Sequence, residues 1–368
     1  MMGFLRFTLA MFVVTAHLTE GVRFFSHWGV FAVFGFYLIS GYLMTLILHE
    51  TYSFRFSSFV LNRFLRLFPI YYLVAVVSAY LILSVPASAD FLSVWEVKYR
   101  ASDFLGNGLI FPFEFYDASF RIVPSTWSIA VELINYFLLW LVVARSRSLA
   151  LSTVLLTITY HVVTLAVGMD WSSRYRPFYA ALLPFSLGAC IYFCRDQLAR
   201  LSISTIRYVA FGSFLVWVAN LILCGVVAGM GGPHFDTFYY WNLVSLLALI
   251  SCLTTSSLKS LSPRWGKIFG DLAYPAFLTH WIIGFAVSLF VLGGQRRGLA
   301  LLALSVFPIL AVSFALAWSA DRWLEPLRDK VRRKVALPAT VSSGQSKFER
   351  VFRKSFGWLR VSGVDNSD

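Results

Sequence analysis

The chain has 368 residues, 58% of them hydrophobic and 18% aromatic, with only 13% charged and a mean hydropathy of +0.72. A water-soluble fold of this length cannot cover so much apolar surface, so lipid is the expected solvent for most of it. The formal charge of +13 does not read as a nucleic-acid footprint, because the basic residues lie between apolar runs and form no single dense patch.

The first apolar run, 3–19, reads as a span and not as a cleaved leader: no small-x-small site follows, and Arg6 and His17 are embedded in it. On a helix these two are three turns and ~16 Å of rise apart, sharing one face at different depths. Glu20 follows His17 by three positions, a spacing that predicts a pairing with the imidazole. The second run, 29–49, contains Phe36-Tyr37-Leu38-Ile39-Ser40-Gly41-Tyr42.

The third run, 68–86, is preceded by Asn62-Arg63-Phe64-Leu65-Arg66-Leu67-Phe68-Pro69. Arg63 and Arg66 fall on one helical face at the mouth of that span. Two guanidinium groups there suit a phosphate, and retention of positive charge on the inner side explains them as well. The long segment 87–125 carries Asp90, Glu96, Asp103, Glu114 and Asp117 among aromatics, which fits either a solvated loop or a cap that meets sugar faces.

The fourth run, 126–144, contains Trp127-Ser128-Ile129-Ala130-Val131-Glu132. Burying Glu132 requires a cation, a donor or a proton. Runs at 149–168, 177–194, 207–228 and 238–257 follow, then 271–292 with His280 in mid-span, and 299–319. Cys190, Cys194, Cys224 and Cys252 all sit in apolar stretches without metal-ligand spacing, and no metal is expected.

Ten spans place both termini on one side. Lys and Arg then divide 23 inside to 8 outside, as expected if the termini are cytoplasmic. The expected organisation is an all-α membrane bundle over 1–320 and a basic cytoplasmic tail over 321–368. The tail should begin as a short amphipathic helix at the lipid headgroups and end in disorder, with no second globular domain.

These segments together resemble the acyltransferase 3 family over Leu5 to Leu327. The resemblance rests on Arg6 and His17 as Arg-x10-His, and on the aromatic Ser40-Gly41-Tyr42 segment. It also rests on Arg63 to Tyr72 as Arg-x-x-Arg before Pro-x-Tyr-Tyr, on Trp127 to Glu132, on Ala273 to His280, and on Glu325-Pro326. Two departures stand out: Phe34 and Gly35 occupy the place where an acidic residue often precedes the aromatic pair, and no SGNH-type domain follows.

The resemblance implies O-acyl transfer, usually of acetyl from acetyl-CoA, to a sugar hydroxyl of a polysaccharide, O-antigen, exopolysaccharide or lipid-linked oligosaccharide at the bacterial inner membrane. Acyl-CoA would be a substrate and not a resident cofactor. Arg63 and Arg66, with Arg6, would hold its phosphates. His17 would be general base or carry an acyl-imidazole intermediate, with Glu20 orienting its ring. Glu132 would support catalysis, and Ser40, Trp127 and His280 would line the cavity. A proton-coupled transporter is the alternative, since buried charges also mark ion pathways; a membrane sensor or scaffold would leave Arg6, His17, Arg63 and Arg66 without a shared purpose.

Overall fold

A computed structural model describes residues 1–97, 100–232, 235–255, 263–294 and 297–335. Ten principal helices carry the chain back and forth: α1 (Met2–Leu18), α2 (Trp28–Ile47), α3 (Phe56–Ser84), α4 (Thr126–Leu141), α5 (Arg147–Ala166), α6 (Phe178–Leu198), α7 (Ile203–Gly229), α8 (Asp236–Leu253), α9 (Pro263–Phe290) and α10 (Leu299–Trp323). An eleventh, α11 (Glu325–Val335), follows directly. No strand occurs among the described residues.

Eight of the ten are long and apolar enough to cross a bilayer. The other two, α1 and α4, have 17 and 16 residues, lengths of about 24–26 Å that fall short of the hydrocarbon core. Such short helices are tolerable where protein, not lipid, surrounds them. On α1 the side chains of Leu5, Leu9, Ala10, Val13, Val14 and Leu18 are all buried, packed between α2 and α9. Lipid instead faces helices such as α5, α7 and α10, which are less buried and apolar all round.

Two boundaries shift what the spans carry. Helix α3 starts at Phe56, well before the apolar run, because Phe56, Phe59, Val60, Phe64 and Leu67 recur at three- and four-residue spacing through the arginines. Arg63 and Arg66 therefore lie within the helix. Helix α1 stops at Leu18: the Thr19 hydroxyl donates to the Thr15 carbonyl at 2.6 Å, and Gly21 takes φ +99°, so Glu20 lies in a turn.

Helices α2 and α6 cross at contact distance through Gly41 and Gly188. A Cβ at Gly41 would stand 2.1 Å from the Phe185 carbonyl oxygen, and one at Gly188 would stand 2.2 Å from that of Leu38. The segment between α3 and α4 folds into short helical turns at 88–91, 93–95, 101–109 and 111–114. Buried Asp103 accepts from Ser119 Oγ at 2.7 Å and from the Phe120 amide at 3.2 Å, so this segment is a fixed cap and not a solvated loop. Helix α11 packs against α3, with Asn62 donating to the Arg328 carbonyl. It is docked on protein as well as amphipathic; the rest of the tail lies outside the described residues.

Candidate active site

The helix α1 carries both ends of the site. Near Met1, a cavity of about 210 Å³ opens between α1, α2, α3, α4 and α9. Arg6, Arg63 and Arg66 all reach it, together with Ser40, Glu132, Tyr136 and Tyr274. Arg6 and Arg66 make no hydrogen bond or ion pair with any described residue. Arg63 donates to Asn62 Oδ1 at 3.0 Å and to Met44 Sδ at 3.7 Å, while its buried Nε has no partner among the described residues.

Among the described residues Glu132 is the sole carboxylate on this wall, and it is already engaged. Ser40 Oγ donates to its Oε1 at 2.5 Å, and the Tyr136 hydroxyl donates to the same oxygen. Tyr136 lies one turn beyond Glu132 on α4, so the two share a face; an i, i+4 tyrosine after a buried glutamate was the sequence signal for it. Three guanidinium groups thus face one hydrogen-bonded carboxylate. The excess positive charge in a low-dielectric enclosure calls for an anion.

At the opposite end of α1, His17 meets His280 of α9, with Nδ1 and Nε2 2.8 Å apart and the rings stacked. His280 is fully buried, while His17 keeps some exposure. His280 Nδ1 lies 2.9 Å from the Phe277 carbonyl. A carbonyl oxygen only accepts, so His280 carries its proton on Nδ1 and presents a lone pair on Nε2. His17 Nδ1–H donates to that lone pair. The Nε2 of His17 is left with its own lone pair, the arrangement a base or nucleophile needs.

Phe277 joins the two parts. Its ring lines the arginine cavity beside Phe36, at 6.2 Å between centroids, and its carbonyl fixes His280 one turn further along α9. The histidines themselves are not among the residues lining that cavity.

Three expected placements are corrected, the first being His280, which was expected to line the cavity and instead lies beyond it. Glu20 does not reach His17; from its turn it forms an ion pair with Arg297, which precedes α10. Gly298 N–H donates to the Leu18 carbonyl at 2.9 Å and holds Arg297 there. The guanidinium of Arg297 lies 4.9 Å from the Trp281 ring centroid, and Trp281 stacks on His17 at 4.7 Å. Trp127 does not line the cavity: it packs edge-on against Tyr175, and its neighbours Ser128 and Ile129 face the cavity instead. Arg297 and Trp281 carried no spacing signal, since they come to His17 from far along the chain.

The cap at the His17 end holds one perturbed acid. Glu114 accepts from the Phe178 amide, the start of α6, at 2.6 Å. Burial pushes its carboxyl up to about 7 against the opposing pull of that amide and of Arg121. Among the described residues no three His, Cys, Asp or Glu side chains converge as a metal site.

A family model described as an acyltransferase domain matches residues 2–320. No curated protein and no solved structure matches the chain. The matched stretch contains the whole arginine cavity and both histidines. With ten apolar helices around these residues, the chain belongs to the acyltransferase 3 family and is a multi-pass membrane acyltransferase.

Proposed function

We propose that the protein transfers an acyl group, acetyl in the first instance, from acyl-CoA to a hydroxyl of an envelope or exported glycan at the bacterial inner membrane, with both termini cytoplasmic. The observation that carries this reading is the cavity with three arginines and one engaged carboxylate, set on the same helix as His17. CoA phosphates supply the missing negative charge. The ~16 Å rise from Arg6 to His17 matches the reach of a pantetheine arm laid along α1. The thioester then arrives beside Phe277 and the histidine pair.

In the direct reaction His17 Nε2 takes the proton of the acceptor hydroxyl as its oxygen attacks the thioester carbonyl. The C–O bond forms, the C–S bond breaks, and the CoA thiolate leaves to be protonated. In the two-step version Nε2 itself attacks the thioester carbonyl and the C–S bond breaks to release the CoA thiolate; the acceptor oxygen then attacks the acyl-imidazole, the C–N bond breaks, and the hydroxyl proton passes to the thiolate. His280 holds the same tautomer in both. Glu20 enters only through Arg297, and Ser40 and Glu132 shape the cavity wall.

The test is steady-state transfer of labelled acetyl from acetyl-CoA to the envelope glycan fraction by membranes carrying the native protein or Arg66→Gln. Losing one charge-assisted contact costs about 1.5–3 kcal/mol, so KM for acetyl-CoA should rise at least about tenfold. Transfer with an unchanged KM would remove the phosphate role. Uptake or export of a solute without transfer from any acyl-CoA would favour a transporter.

A further inference from the structure

A second cavity, of about 270 Å³, adjoins the first and shares Arg66 and Tyr274 with it. The two are consecutive along α9. Phe277, Tyr274 and Ala273 line the first, whereas Tyr274, Asp271, Gly270 and Lys267 line the second, which therefore lies further from His280. Its far wall is α11, through Glu325, Arg328 and Arg332. The first cavity alone is smaller than the roughly 300–1,000 Å³ of sites that enclose ligands far smaller than CoA.

Charge decides which group of the donor the second cavity suits. Lys267 is held by Asp321 at 2.6 Å and Asp271 at 3.2 Å, leaving it little to offer. Arg332 is shared between Glu325, at 2.5 Å, and Asp329. Arg66 has no ion pair with any described residue. Among the described residues Arg328 pairs only with Glu325, through Nη1, and its buried Nε has no partner. Arg332 keeps Nη1, but Arg66 and Arg328 are the two guanidinium groups with the most donors to spare on this wall.

We propose that the second cavity binds the phosphomonoester of the donor nucleotide, the 3′-phosphate of CoA, between Arg66 and Arg328, and that Glu325 competes with it for Arg328. This rests on the acyl-CoA reading above. The thiol end of the donor points to His17, so the nucleotide end must lie towards α11, where this subsite is. A dianionic phosphomonoester outbids one carboxylate for a guanidinium by charge and by number of acceptor oxygens.

The experiment is equilibrium binding of CoA and of 3′-dephospho-CoA to the full chain purified in phospholipid-free detergent. Native protein should bind CoA at least about tenfold more tightly than dephospho-CoA. Arg328→Gln should bind the two alike, leaving the dephospho-CoA affinity near native. Glu325→Gln should shift the other way and bind CoA more tightly than native, a gain that damaged folding cannot mimic. Equal binding of both ligands by native protein overturns the proposal and leaves the cavity to a lipid headgroup phosphate. A preference that survives Arg328→Gln, or a loss of CoA affinity in Glu325→Gln, also overturns it. Failure of native protein to bind either ligand instead contradicts the acyl-CoA reading itself.

Discussion

His17 and His280 are 263 positions apart in sequence and 2.8 Å apart in space. Each is an intramembrane histidine that spacing alone reads as a packing residue or a functional one; only the contact, with the Phe277 carbonyl behind it, assigns the protons. If His280 acts by fixing the tautomer, His280→Leu should lower kcat for acetyl transfer by about 10²-fold or more while leaving KM for acetyl-CoA near its native value. Native kcat in that variant would make the pair a packing contact. Arg6 was legible because a charge is anomalous inside an apolar run, whereas Arg63 and Arg66 read as lying at the mouth of one and are found within α3. Glu20 and Trp127 misled for local reasons: Thr19 ends α1 before the i, i+3 geometry is reached, and Trp127 points to Tyr175 from the first turn of α4.

Glu114 gives a pH dependence at the same scale. Its carboxyl is pushed up to about 7, so between its unfolded value near 4.3 and about 7 the folded state binds the extra proton. Stability from this group is therefore greatest at low pH and falls as pH rises through about 7. Glu114→Gln keeps an acceptor for the Phe178 amide and removes the titration. Thermal unfolding in detergent from about pH 5 to 8 should show a smaller decline with pH in the variant than in the native protein; identical slopes would exclude Glu114 as the source.

At the scale of elements, all ten principal helices were readable from runs of apolar residues, since lipid demands continuous helices and the charges between them mark the turns. What the runs hid were the true start of α3 and the turns of α9 before residue 271, where the helices extend into charged sequence. The crossing of α2 and α6 was also hidden, because a glycine's role there depends on a backbone from a distant segment. Gly41→Ala would drive a methyl to 2.1 Å from the Phe185 carbonyl oxygen, so the helices must separate. That should cost about 1–3 kcal/mol, seen as a lower unfolding temperature, and should disturb Ser40 beside it. A variant as stable and as active as native would show that the crossing is loose.

For the whole molecule, the parts fall in one line. The α11 ledge, the arginine cavity, the Phe36–Phe277 pair and the two histidines follow one another along α1 and α9. This ordering is absent from any single motif; it arises because α1 and α9 pack along their lengths, from Gly3 beside Gly266 and Gly270 to His17 beside His280. On the proposed acyl-CoA reading it gives a path for a long donor with a charged end and a reactive end. The family assignment says that an acyl group moves, and the proposed function places the reaction at the histidine end of this line.

The most direct measurement compares membranes holding equal amounts of native protein and His17→Ala for transfer of labelled acetyl from acetyl-CoA into envelope glycan. Label should appear with the native protein and fall by about 10²–10⁴-fold or more in the variant, with membrane insertion unchanged. Transfer at the native rate by His17→Ala would contradict the account.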